Sequence, residues 1–127
     1  MRILYVEDDE LNYRLVERIL VADGHKVVHA RNGKAGLREA RARRPDLVLM
    51  DLGLPDIDGF ETARRMREVP SFARTPIVAV TGWVGGDGEE RGRREGFAGH
   101  IQKPFRVETL LAEVRRCTRR PTGRGGG

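Results

Sequence analysis

The residues of this chain whose types and spacing suit chemistry are a few acids, one lysine and one threonine. Asp51 closes the run Leu47-Val48-Leu49-Met50, and Leu52-Gly53-Leu54-Pro55 turns the chain at once. An apolar run without alternation, bounded by breakers, reads as a strand buried on both faces, hence a parallel sheet with helices on each side. Asp51 then stands where that strand leaves the sheet, the edge at which open α/β folds place their chemistry. An aspartate there serves as a cap or turn residue, or as a nucleophile or metal ligand. Asp8 and Asp9 follow a second apolar run, Ile3-Leu4-Tyr5-Val6; Thr81 follows Ile77-Val78-Ala79-Val80; Lys103 follows His100-Ile101-Gln102. Crowded carboxylates raise one another's pKa or recruit a cation, and an oxygen-only ligand set suits Mg2+. A lysine ammonium is a compact point charge fitted to phosphate oxygens, and a threonine hydroxyl adds a neutral donor. Together these groups describe phosphoryl transfer onto Asp51 as nucleophile. Singly each is weak, and Asp8-Asp9 alone reads as a helix cap. Their joint placement at four strand ends carries the reading.

Positioning these groups takes five strands: Arg2 to Val6, Lys26 to Ala30, the run ending at Asp51, Ile77 to Val80, and His100 to Gln102. Helices alternate with them. The first carries Leu11, Leu15 and Ile19 at helical spacing with Val16 and Leu20 beside them, and Gly24 stops it. The second follows the Asn32-Gly33 turn, carries Ala35, Leu37 and Ala40, and ends before Pro45. The third presents Phe60, Ala63 and Met66, with Asp58 as N-cap. Residues 69–75 form a loop. A weak fourth candidate covers 87–95 in a glycine-laden stretch, and Val107, Leu110, Leu111 and Val114 mark the last helix. Strands alternating with helices predict an α/β, doubly wound five-stranded parallel sheet with five helices.

At 127 residues the chain is one domain, placed at 1–118, with a disordered Arg/Gly-rich tail at 119–127. A hydrophobic content of 39% fits a soluble protein, and no apolar run is long enough for membrane insertion. Cys117 is the only cysteine, so a reducing, cytoplasmic setting is expected. The net charge is +5, yet its arginines are dispersed and no nucleic-acid-binding motif accompanies them, so no direct nucleic-acid partner is expected. The lysines are only Lys26, Lys34 and Lys103, which makes a well-placed lysine informative.

Glu7-Asp8-Asp9, Met50-Asp51 with Pro55 and Gly59 downstream, Thr81-Gly82 and Lys103-Pro104-Phe105 make the chain resemble a response-regulator receiver domain of two-component signalling, from about Arg2 to Arg116. That resemblance implies a flavodoxin-like fold with strand order 2-1-3-4-5, the order a member of this family illustrates among doubly wound sheets. It implies a phosphoryl group passed to Asp51 from a phosphohistidine on a sensor histidine kinase or a histidine phosphotransfer protein, and a changed binding face for a downstream signalling protein. Asp9 and Asp51 would bind Mg2+ directly with the carbonyl of Gly53, and Asp8 largely through water. Lys103 would contact the phosphoryl oxygens, Thr81 would swing toward them, and His100, at the family's switch-aromatic position, would follow. A cis peptide is implied at Lys103-Pro104.

Several departures stand out. His100 replaces the usual tyrosine or phenylalanine, and Leu54 a common methionine. Gly82 stays small beside Thr81, and Gly53 and Trp83 lie at positions that flank the acyl phosphate in the family. The resemblance is to the stand-alone, single-domain type, which catalyses only its own phosphorylation and dephosphorylation. The alternatives are a receiver cut from a hybrid histidine kinase, and a phosphatase with an aspartyl nucleophile. The latter chemistry usually has a second aspartate where this chain has Gly53. Six glycines between Gly85 and Gly99, against few apolar anchors, predict a short, fraying fourth helix.

Overall fold

β1 (Arg2–Val6), β3 (Leu47–Asp51) and β4 (Ile77–Thr81) are the strands whose sequences are apolar on both faces, and they form the middle of the sheet. β2 (Lys26–Ala30) and β5 (Gly99–Gln102) are its edges. The computed structural model describes residues 1–54, 56–82 and 86–118, without the side chains of 86–89. Pro55, Trp83 and the tail at 119–127 lie outside the described residues. All pairings are parallel, in the order β2-β1-β3-β4-β5. The α/β, doubly wound, flavodoxin-like expectation therefore holds in class and in strand order.

Among the described residues five helices cover the two faces: α1 (Glu10–Ala22), α2 (Gly33–Arg43), α3 (Gly59–Arg67), α4 (Gly86–Arg94) and α5 (Val107–Thr118). Alternate residues of each strand face opposite ways, so two cores form. One holds Leu4, Val6, Val48 and Met50 with Ala40, Phe60, Met66 and Phe72. The other holds Ile3, Tyr5, Leu47, Leu49 and Val80 with Tyr13, Val16 and Leu20 of α1 and Leu110 and Val114 of α5. The loop expected at 69–75 contains one short 3-10 turn, Pro70–Phe72, which buries Phe72.

α1 differs from expectation in its phase. Its inward stripe is Tyr13, Val16 and Leu20, while Leu11 and Leu15 are 78% and 55% exposed. The helix carries two apolar stripes, and the strand-to-helix turn selects the one with the aromatic.

Close approaches decide two connections. A Cβ on Gly59 would lie 2.6 Å from the Asp51 carbonyl oxygen and 2.7 Å from Leu52 Cα, so only glycine lets α3 return beneath the end of β3. The backbone N–H groups of Gly33 and Lys34, at the start of α2, donate to the Asp56 carboxylate at 2.8 and 3.0 Å. That carboxylate fastens the loop after Asp51 to the neighbouring helix. The Lys103-Pro104 peptide is cis, as expected.

Candidate functional site

The site is the carboxyl edge of β1, β3, β4 and β5. Register aligns their ends: Val6 pairs with Met50, Asp51 with Val80, and Thr81 with Gln102. The Lys103 N–H then donates to the Thr81 carbonyl at 2.7 Å, which carries the β5 edge one residue further.

Asp51 is 7% exposed. Its Oδ1 accepts from the Gly53 N–H at 3.0 Å, and its Oδ2 lies 3.8 Å from Lys103 Nζ. Burial pushes its carboxyl up to about 6, the Gly53 N–H opposes that, Glu7 adds to it, and Lys103 opposes it. Glu7, at 1% exposure, is the most enclosed acid of the site. Its Oε1 accepts from Tyr5 OH and from Lys103 Nζ, both at 2.8 Å, and its Oε2 from the Asp9 N–H at 3.1 Å. Burial opposes its ionisation, but donation from Lys103, Tyr5 and Asp9 holds the carboxyl below its ordinary range.

One carboxylate oxygen each from Glu7, Asp8 and Asp51 lies within 4.8 Å of the others, so the structure brings Asp8 and Asp51 together as the sequence anticipates. The third member is Glu7. Asp9 is instead the N-cap of α1: its Oδ1 accepts from the N–H groups of Leu11 and Asn12 at 2.9 and 3.1 Å. Such a carboxylate satisfies two of the helix's orphan donors. A signal for this exists in the sequence, because the strand's apolar run stops at Val6 and Glu7 is the first residue past it. Tyr5, the other residue missed, is the one buried side chain of β1, β3 or β4 with a polar tip before the strand end.

Space lies over Asp51. Among the described residues, a Cβ on Gly53 would meet Asp51 Oδ1 at 3.8 Å, and one on Gly82 would meet nothing within 4 Å. Thr81 is 2% exposed. His100 sits on β5 with its N–H on Glu113 Oε2 at 3.3 Å, beside a cleft of about 340 Å³ also lined by Gly92, Phe97 and Arg116.

Three crowded acids, one pushed toward neutrality, make an oxygen donor set fitted to a divalent cation. The half-buried lysine beside them places positive charge where an anionic group would enter.

Comparison with known proteins agrees with this arrangement. Residues 3–115 match the sequence profile of the response regulator receiver domain. The polar-differentiation response regulator DivK of Brucella anthropi is 34% identical over 113 residues, covering 89% of this chain and 92% of that protein. The chemotaxis protein CheY4 of Vibrio cholerae superposes with a TM-score of 0.86 at 29% identity, over 91% of this chain and 97% of that one. The receiver domain of sensor histidine kinase PA1611 of Pseudomonas aeruginosa, with a magnesium ion coordinated in its active site cleft, gives 0.85 at 31% identity, over 92% and 96%.

Proposed function

The chain belongs to the response regulator receiver domain family, and from that premise we propose that Asp51 is the phosphoryl acceptor of its phosphorylation-switched signalling. The donor is a phosphohistidine on a sensor histidine kinase or a histidine phosphotransfer protein. Asp51 Oδ1 is held by the Gly53 N–H, so Oδ2, which faces Lys103 Nζ at 3.8 Å, is the nucleophilic oxygen. As Oδ2 bonds to phosphorus, the donor's P–N bond breaks and the imidazole leaves. Lys103 Nζ, 3.8 Å away, moves onto the phosphoryl oxygens as charge builds there. Gly53 and Gly82 leave the space that the incoming group needs. Thr81 then turns to the phosphoryl group, and His100, beside the cleft with Glu113 and Arg116, changes the face that a downstream signalling protein reads.

The residues that would hold Mg2+ are Asp8 and Asp51 with the Gly53 carbonyl, and Glu7 beside them; Asp9 contributes its cap. When bound, the ion neutralises the crowded carboxylates and the phosphoryl charge. Hydrolysis of the acyl phosphate returns the protein to rest, so the chain catalyses only its own phosphorylation and dephosphorylation. No helix among the described residues is long and apolar enough to cross a membrane, and we place the protein in the cytoplasm with its kinase partner, away from direct nucleic-acid contact.

The observation that carries this reading is the meeting of Asp8, Asp51 and Lys103 at one sheet edge. Intact-protein mass spectrometry after incubation with acetyl phosphate and Mg2+ tests it. One phosphoryl adduct, mapped to Asp51 and missing from Asp51→Asn, is expected. An equal yield on another residue overturns it.

A further inference from the structure

We propose that Tyr5 is a positioning residue whose hydroxyl fixes the Glu7 carboxylate, and through it the resting place of Lys103. The inference rests on the reading of Asp51 as acceptor.

Tyr5 is fully buried on β1, in a core built mainly of aliphatic side chains. A hydroxyl in such a place must find a partner, and its partner is Glu7 Oε1 at 2.8 Å. The same oxygen accepts from Lys103 Nζ at 2.8 Å, and Oε2 accepts from the Asp9 N–H. The backbone of Glu7 is held as firmly: its N–H donates to the Ala30 carbonyl, and its own carbonyl lies 2.8 Å from His29 Nε2. His29 in turn stacks on Tyr13, with ring centroids 3.6 Å apart, and Tyr13 lies against Tyr5. Every end of Glu7 is therefore fixed by a named group.

The consequence is a division of labour among three acids that lie within 4.8 Å of one another. Asp8 is exposed, and Asp51 Oδ2 has Lys103 Nζ no nearer than 3.8 Å, so these two acids face the open site. Glu7 is turned to Lys103 and kept there by Tyr5. Lys103 Nζ is thus parked on Glu7, 1.0 Å nearer to it than to Asp51 Oδ2 (2.8 against 3.8 Å). From there it has a short way to travel when a phosphoryl group arrives.

Tyr5→Phe removes the hydroxyl and keeps the ring, so packing is preserved. Glu7 then loses one of two donors on Oε1 and is free to rotate toward the oxygens of Asp8 and Asp51. Two effects of opposite sign follow. With a third carboxylate available, Mg2+ affinity measured by isothermal titration calorimetry rises several-fold. With Lys103 no longer held in place, the phosphorylation rate at saturating Mg2+ and acetyl phosphate falls several-fold. A packing defect would lower both together, and that result, or no change in either, overturns the proposal. In a Glu7→Gln background the Tyr5 substitution should add nothing further; an effect of equal size there also overturns it. The calorimetric arm needs no phosphorylation. If wild-type protein forms no adduct at Asp51, that reading fails while the affinity change still reports on Tyr5.

Discussion

Asp51 is the residue at which this protein works against itself. Burial and the neighbouring Glu7 push its carboxyl up to about 6 from an ordinary 3.8. A folded-state value above the unfolded one means that the folded apo protein holds the proton more tightly. Its contribution is therefore intact below about pH 4 and is lost as pH rises through about 6. A shift of this size corresponds to about 2–3 kcal/mol. Asp51→Asn should accordingly be more stable than wild type at pH 7.5 without divalent cation, by about 1–3 kcal/mol, with the gap closing at pH 4.5; urea denaturation of both proteins at both pH values checks it. Asp9→Ala should cost about 1 kcal/mol through loss of the α1 cap and leave Mg2+ affinity nearly unchanged, which thermal melts and calorimetry separate. Lys103→Arg should not restore phosphorylation, because a planar fork cannot make the compact contacts of an ammonium. At this scale the placement of Asp8, Asp51, Thr81 and Lys103 at strand ends was legible, each announced by an apolar run before it. The separate placements of Glu7 and Asp9 were not, because three consecutive acids look alike until the pleat and the first helical turn send their side chains apart.

Among the elements, α4 departs furthest from the local preference of its sequence. It spans nine residues, Gly86–Arg94, despite its glycines. Its second half is held by contacts that no periodicity announces: Arg91 lies 3.8 Å over the Phe60 ring, Phe97 meets Phe60 edge-on, and Glu95 pairs with Arg64 and Arg91. A guanidinium on an aromatic face contributes about 0.5–1 kcal/mol at such a site, enough to offset roughly one glycine. A Cβ on Gly92 would meet Phe97 at an ordinary 3.8 Å, so Gly92→Ala should raise stability by about 0.5–1 kcal/mol in a denaturant titration. Hydrogen exchange across 86–98 should be faster than across α1 and should slow when Asp51 is phosphorylated; protection equal to that of α1 and unchanged by phosphorylation contradicts it. The stripe Leu11, Leu15 and Ile19 shows where periodicity runs out, because it tells a helix from a strand without choosing between two apolar faces of one helix.

For the molecule as a whole, alternation of strand and helix gives the doubly wound parallel class, while the strand order comes from the family to which the motifs point. Any Mg2+ bound only by the folded state should raise its thermal midpoint by mass action. That rise should be smaller in Asp51→Asn, which lacks one ligand charge; equal shifts in both proteins would place the ion elsewhere. The pairing of Lys103 with Glu7 joins groups 96 positions apart in the chain. Synthesis proceeds from the amino terminus, so the acidic residues leave the ribosome long before the lysine that balances them. Lys103 can reach Glu7 only once β5 has been made and has closed on β4, so the last strand of the sheet is also the one that completes the charge balance of the site.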